Sequence, residues 1–210
     1  MVLHMANPLK KILKEMQTFQ FKDAMAYSNL LWKLRLAVQT MKFNKNAAEY
    51  WDLKWRFDMK SNDEPLKVLS GLGNRKSVIL SYMKLHNCVN VLEVGCGTAF
   101  LRSLPNYVGL DISKKLFKRN DLKNAVCADI TKAIPFKNET FDLVITGAVL
   151  VHIPYSHIDF VSNEIRRVAK KLIILQEPPY DNENKPRKSH CFNHNLRRIF
   201  ESCKVPLIFL

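Results

Sequence analysis

The residues with the clearest chemical meaning lie in Val91-Leu92-Glu93-Val94-Gly95-Cys96-Gly97-Thr98-Ala99. An apolar run carrying an acid leads into a Gly-x-Gly turn. Glycines at 95 and 97 admit φ values closed to other residues, and their missing Cβ atoms let a ligand lie against the backbone. A second apolar run, Tyr107-Val108-Gly109-Leu110, stops at Asp111, and a third stops at Cys127-Ala128-Asp129-Ile130. A carboxylate in the place of Asp111 can accept hydrogen bonds from both hydroxyls of a ribose. Asp129 can accept from an adenine exocyclic amine, and the Ile130 N–H can donate to a ring nitrogen. Taken singly, either aspartate would more often be a loop or cap residue. Together, at successive run ends after a Gly-rich turn, they predict a pocket for an adenosine-containing ligand. A nicotinamide dinucleotide fits less well, because its G-x-G-x-x-G/A turn needs a small residue where this chain has Phe100.

Beyond the fourth and fifth apolar runs lie Thr146, His152, Glu177, Tyr180 and His190. A histidine titrates near neutrality, so His152 could serve as a general base; as a helix-terminal residue it would instead shape a pocket wall. The aromatic group Tyr50, Trp51 and Trp55 would roof the pocket or pack as core. His190, Cys191 and His194 are one thiol and two imidazoles, an incomplete zinc set, and no metal is expected.

These residues need elements to position them. Short β-branched runs recur at Val89–Val94, Tyr107–Leu110, Ala125–Ala128, Phe141–Thr146, Lys171–Leu175 and Val205–Phe209. Between the fourth and fifth, Ile158, Val161, Ile165 and Val168 recur at helical spacing. Alternating strands and helices predict an α/β fold with a doubly wound, mostly parallel sheet. A short core helix is expected over about Thr98 to Leu104, ended by Pro105. Residues 44 to 73 read as a connecting region, followed by helix from about Asn74 to Leu85. Residues 1–43 hold no glycine and show two helical stretches, one after an Asn7-Pro8 start and one from about Asp23 to Met41. The expected division is a helical N-terminal extension over 1–43 and a catalytic domain over 44–210. The extension would pack on the core, close as a lid, bind a partner, or lie on a membrane surface.

The motif set resembles the class I S-adenosylmethionine-dependent methyltransferases, of the type 11 methyltransferase domain, over about Asn74 to Gln176. VLEVGCGTA is similar to the family's first motif, YVGLDIS to its second, and CADITKAIPFKNETFDLVITGAVLVHI to its third and fourth. The resemblance implies a Rossmann-like fold and S-adenosylmethionine as cofactor. It implies that Glu93, Gly95, Cys96 and Gly97 surround the methionine part, that Asp111 and Ile112 take the ribose and adenine face, and that Asp129 and Ile130 take the adenine edge, with Thr146 closing the set. Ala99 stands where the family has a third glycine. Only 34 residues follow Gln176, so the sheet is expected to be shortened at its C-terminal edge, and the sequence leaves the final antiparallel strand open. Glu177-Pro178-Pro179-Tyr180 resembles the Asp/Asn-Pro-Pro-Tyr signature of amino-nucleobase methyltransferases but follows the fifth strand rather than the fourth, so a rigid loop is the stronger reading. A looser similarity of GAVLVHIP and EIRRVAKKLIILQEPPY to methylases of glycan and pseudaminic-acid biosynthesis implies a small-molecule or glycan-precursor acceptor with a hydroxyl. Trp51, Trp55, Glu177, Tyr180 and His190 are the candidate acceptor residues and His152 the candidate base.

Composition limits the alternatives. The 210 residues carry 33 Lys+Arg against 19 Asp+Glu, a net charge of +14. Such an excess fits a polyanionic partner and keeps an RNA acceptor open. However, 23 of the 33 basic residues are Lys, which lacks the bidentate fork of Arg. No stretch reaches the ~18 apolar residues of a membrane span. Five scattered cysteines without a CxxC pair, and no visible signal peptide, lead us to expect a cytoplasmic protein. A cofactor-binding subunit without catalysis of its own is the third reading.

Overall fold

A computed structural model describes residues 43, 46–58, 64–178 and 191–210. Its centre is a six-stranded sheet: β1 (Val91–Val94), β2 (Tyr107–Asp111), β3 (Ala125–Cys127), β4 (Phe141–Gly147), β5 (Ala169–Gln176) and β6 (Leu207–Phe209). The strand order is β3-β2-β1-β4-β5-β6, and every neighbouring pair is parallel. The expected strands are all present, with ends shifted by one or two residues. β6 lies directly against β5, with no antiparallel strand among the described residues. The chain winds outward from β1 to β3, then crosses back to β4. The order reverses between β1 and β4, and a crevice opens at the C-terminal ends of the strands there.

Both sheet faces are covered. On β4 and β5, Val144, Ile173 and Leu175 join one buried cluster while Leu143, Ile145, Leu172 and Ile174 join the other. This alternation is the two-residue period of a strand buried on both sides. The first face is closed by α4 (Ile158–Val168), whose Ile158, Val161, Ile165 and Val168 are buried as the spacing predicts. Each such aliphatic side chain contributes about 1.5–3 kcal/mol when removed from water. Arg167 of this helix donates to the carbonyls of Ile134 and Phe136 while pairing with Glu164, and Glu164 accepts from the Ile134 N–H. The second face is closed by Ile79 and Met83 of α2 (Glu64–Leu85) and by Leu101 and Leu104.

Two expectations fail. Residues 98–104 form no helix. They are a run of turns held by Ala99 N–H to Cys96, Arg102 N–H to Ala99 and Leu104 N–H to Leu101 bonds, each spanning three residues. Ala99 takes a left-handed φ of 53°, which interrupts any helix starting at Thr98. The connecting region is also helical: α1 spans Ala47–Asp58 and α2 spans Glu64–Leu85. The remaining helices are α3 (Lys114–Asn120) and α5 (Leu196–Ile199). The helical extension expected over 1–43 lies outside the described residues, Phe43 excepted.

Candidate functional site

The turn after β1 has the left-handed backbone that glycine permits, with φ 70° at Gly95 and 49° at Gly97. The Gly95 and Cys96 N–H groups donate to the Leu110 carbonyl at 2.7 and 3.0 Å, which ties the turn to β2. A Cβ on Gly95 would stand 2.5 Å from Val149 Cβ and Cγ2. Val149, from the loop after β4, therefore sits in the space the glycine leaves. Ala99 keeps φ at 53°, so the backbone of the missing third glycine is retained at a cost of about 1–2 kcal/mol.

Asp111 ends β2 almost fully buried. Its Oδ2 accepts from the Gly97 N–H and its Oδ1 from the Ser113 N–H, both at 2.9 Å. Burial pushes its carboxyl up, against those backbone hydrogen bonds. Ser113 is shared with α1: its hydroxyl donates to Asp52 Oδ1 at 2.5 Å, and Asp52 also accepts from the Lys115 N–H and pairs with the Lys115 ammonium. Asp52 thus caps α3 from another helix and fixes α1 beside the cavity. Asp129 makes a tight local turn through Oδ1, accepting from the Thr131 N–H and hydroxyl, while Oδ2 faces Lys132 at 3.8 Å.

These elements enclose one cavity of about 620 Å3 at the C-terminal ends of the strands. Of the sequence-predicted cofactor residues, Glu93, Gly95, Cys96 and Gly97 line it on one side. Asp111, Ile112, Asp129 and Ile130 line it on another. Glu93 accepts a hydrogen bond from the Tyr107 hydroxyl. Its carboxyl is raised to about 7, chiefly by burial and further by Asp111, with the Tyr107 bond opposing.

Trp51 and His152 also line the cavity, their ring centroids 4.6 Å apart. Cys191 Sγ lies 3.8 Å from His152 Nδ1. His194, the other described member of the Cys/His group, is turned elsewhere, with Nε2 2.8 Å from the Ile153 carbonyl. Tyr50 is core, packed edge-on against Phe43 and Trp51.

Two predicted residues have other roles. Thr146 is fully buried and lines no part of the cavity; its hydroxyl lies against the Glu177 carboxyl. Glu177 is not on the cavity wall either. It accepts from the N–H groups of Val149, Leu150 and Val151 at 3.2, 3.2 and 3.4 Å, anchoring the 3-10 turn Leu150–His152 that carries the histidine. Its carboxyl is raised to about 7, chiefly by burial. The side chain of Trp55, and Tyr180 and His190, lie outside the described residues.

Sequence reasoning missed Phe43, Arg75, Phe100 and Gln176, all on the wall. Gln176 carried a signal, since it is the polar residue ending a strand whose neighbours also end at the cavity. Its Nε2 is buried without a hydrogen-bond partner among the described residues, a donor left for a ligand.

Residues 92–173 match the methyltransferase domain family. The matched segment is under half of the chain. The chain is 44% identical over 92 residues to an uncharacterized protein of Methanocaldococcus jannaschii, covering 40% of this chain and 39% of that protein. It is 29% identical over 143 residues to a ubiquinone biosynthesis O-methyltransferase of Pelagibacter ubique, covering 62% and 59%. Among solved structures it is similar to an S-adenosylmethionine-dependent methyltransferase from Archaeoglobus fulgidus, at TM-score 0.45 and 18% identity, over 66% of this chain and 73% of that one. The chain thus spans well under two thirds of the length of the two curated relatives. The residues present fit S-adenosylmethionine: Gly95 has no room for a Cβ, and two strand-end carboxylates and an unpartnered amide donor face the same cavity.

Proposed function

We propose that the protein is an S-adenosylmethionine-dependent methyltransferase acting on a hydroxyl of a small, flat, largely apolar acceptor. The observation that carries this reading is the single cavity lined both by the glycine cradle and strand-end acids and by the paired rings of Trp51 and His152. The cofactor supplies a methyl group already activated on a sulfonium. The chain's own task is then alignment and exclusion of water. Gly95–Gly97, Asp111 and Asp129 hold the donor side. Trp51, Phe100 and Phe43 form an apolar wall on which a ring can lie. His152, carried on a turn that Glu177 anchors, accepts the proton that the acceptor hydroxyl must lose. A glycan precursor with many hydroxyls would need more polar groups than this wall offers among the described residues.

An RNA acceptor gains no support from the described cations of α4 and β5. Arg166 and Arg167 at the end of α4, and Lys171 at the start of β5, sit by the N-terminal ends of the strands, away from the cavity. They are engaged there by Ile199 O and Asn163, by Glu164 and loop carbonyls, and by Asp142 and Asn87 O. Lys185, Arg187 and Lys188 lie outside the described residues. The test is transfer of labelled methyl to separate small-molecule and RNA extracts, and to a panel of phenols. We expect incorporation into small molecules, and a loss of at least ~100-fold in kcat for His152→Asn with donor affinity preserved. Incorporation into RNA alone would overturn the acceptor class. Donor binding without turnover on any fraction would favour a non-catalytic subunit.

A further inference from the structure

Glu93 is more elaborately held than a cavity-lining acid requires. It sits opposite Gly109 in the β1–β2 register. A Cβ on Gly109 would stand 2.8 Å from Cys96 Sγ and 3.0 Å from the Tyr107 hydroxyl oxygen. The space above this glycine is therefore filled by the Tyr107 ring, which starts two residues earlier on the same face of β2. Lying along its own strand, Tyr107 carries its hydroxyl across to Glu93 and donates a hydrogen bond to Oε2. Tyr107 is buried and fixed by the second core cluster, so the bond is held by packing on one side and by the bare glycine on the other. The arrangement takes one carboxylate oxygen and leaves the rest of the group at the cavity.

We propose that Tyr107 is a positioning residue that presents Glu93 as a carboxylate to the ammonium group of the bound cofactor, and that cofactor capture is thereby linked to release of a proton from Glu93 to solvent. The inference rests on the cofactor reading above. An O–H donor satisfies a carboxylate better than a carboxylic acid, and so favours the ionised form. Burial works the other way, and without ligand it leaves this carboxyl at about 7. An ammonium placed beside it tips the balance to the anion. The other groups facing Glu93 are Asp111 from β2 and Cys96 from the turn. Arg75 of α2 and His152 line the same cavity. Asp111 raises the Glu93 carboxyl by repulsion, so it adds to the need for Tyr107.

The test uses two probes: S-adenosylhomocysteine, which carries the ammonium, and 5′-methylthioadenosine, which lacks the whole amino-acid portion. Both are titrated calorimetrically into wild type, Tyr107→Phe and Glu93→Gln from pH 5.5 to 7.5, in buffers of different ionisation enthalpy. Wild-type affinity for S-adenosylhomocysteine should rise on the order of tenfold across the range, with close to one proton released near its lower end. In Tyr107→Phe the rise should move to higher pH, weakening binding at pH 6.5. Glu93→Gln should flatten the profile and abolish the proton release. Affinity for 5′-methylthioadenosine should be level with pH in all three. Superimposable wild-type and Tyr107→Phe profiles would overturn the inference, as would the same pH dependence with 5′-methylthioadenosine. Failure of wild type to bind either probe would instead remove the cofactor reading beneath it.

Discussion

At the scale of single residues, the cavity depends on atoms that are missing as much as on those present. Gly95→Ala places a methyl 2.5 Å from Val149 and forces a φ of 70° on an L side chain. We expect destabilisation of about 2 kcal/mol or more and loss of donor binding, measured by thermal melting and by titration with S-adenosylhomocysteine. Asp111→Ala has a double effect. It removes the predicted ribose acceptor and strips two backbone N–H groups, of Gly97 and Ser113, of their partner. Donor affinity should fall at least ~100-fold and stability by about 1–3 kcal/mol, with the sheet intact by circular dichroism. The strand-end acids were legible because Asp111 and Asp129 each close an apolar run, after an earlier run that carries Glu93 into a glycine turn. Tyr107 was not legible. An aromatic opening a strand reads as a β-former, and only the register shows that it reaches over Gly109 to Glu93. That Thr146 and Glu177 lie off the cavity wall was not legible for a related reason: proximity in sequence to a strand end does not say whether a side chain faces the cavity or the loop beside it.

At the scale of elements, the loop after β4 is built around the buried Glu177. Its folded-state value, about 7, lies above the ordinary 4.5, so the native protein binds this proton more tightly than the unfolded chain. The stabilisation from that preference is full below pH 4.5 and is lost as pH rises through 7, a contribution of up to ~3 kcal/mol. Thermal melts of wild type should therefore decline between pH 5 and 8, and Glu177→Gln should flatten the decline. Asp52 has the corresponding role for α1. Asp52→Ala removes the cap on α3 and the anchor that sets Trp51, and should cost about 1 kcal/mol. It should weaken acceptor binding more than donor binding, a difference read from the two KM values. Strands and α4 were legible because period-2 and period-3.6 patterns dominate them. The helices over 44–85 were partly hidden: Gly71 and Gly73 interrupt the α2 pattern, and Pro65 falls in its first turn, where proline is tolerated. The turns at 98–104 read as helix since their composition suits one; the left-handed backbone at Ala99 decides against it.

At the scale of the molecule, all six strands run one way, so every strand end with a functional side chain opens on a single crevice. Ligand binding there should stabilise the whole domain. S-adenosylhomocysteine at about 100 times its Kd should add roughly 2.7 kcal/mol, raising Tm by about 5–10 °C, and Asp111→Ala should lose most of that shift. The charge of +14 takes a lesser place than the composition suggested, since the described cations of α4 and β5 brace loops at the far end of the sheet. The wedge of Val149 into the space above Gly95 has a consequence for changing what the enzyme accepts. The loop 148–152 is acceptor wall and donor lock in one piece, so substitutions there would alter selectivity and donor affinity together. Trp51 packs edge-on against His152 of that loop, with ring centroids 4.6 Å apart, so it shares the coupling. Retuning the acceptor, in nature or in the laboratory, would then call for paired changes in Trp51 and the loop to hold donor affinity level.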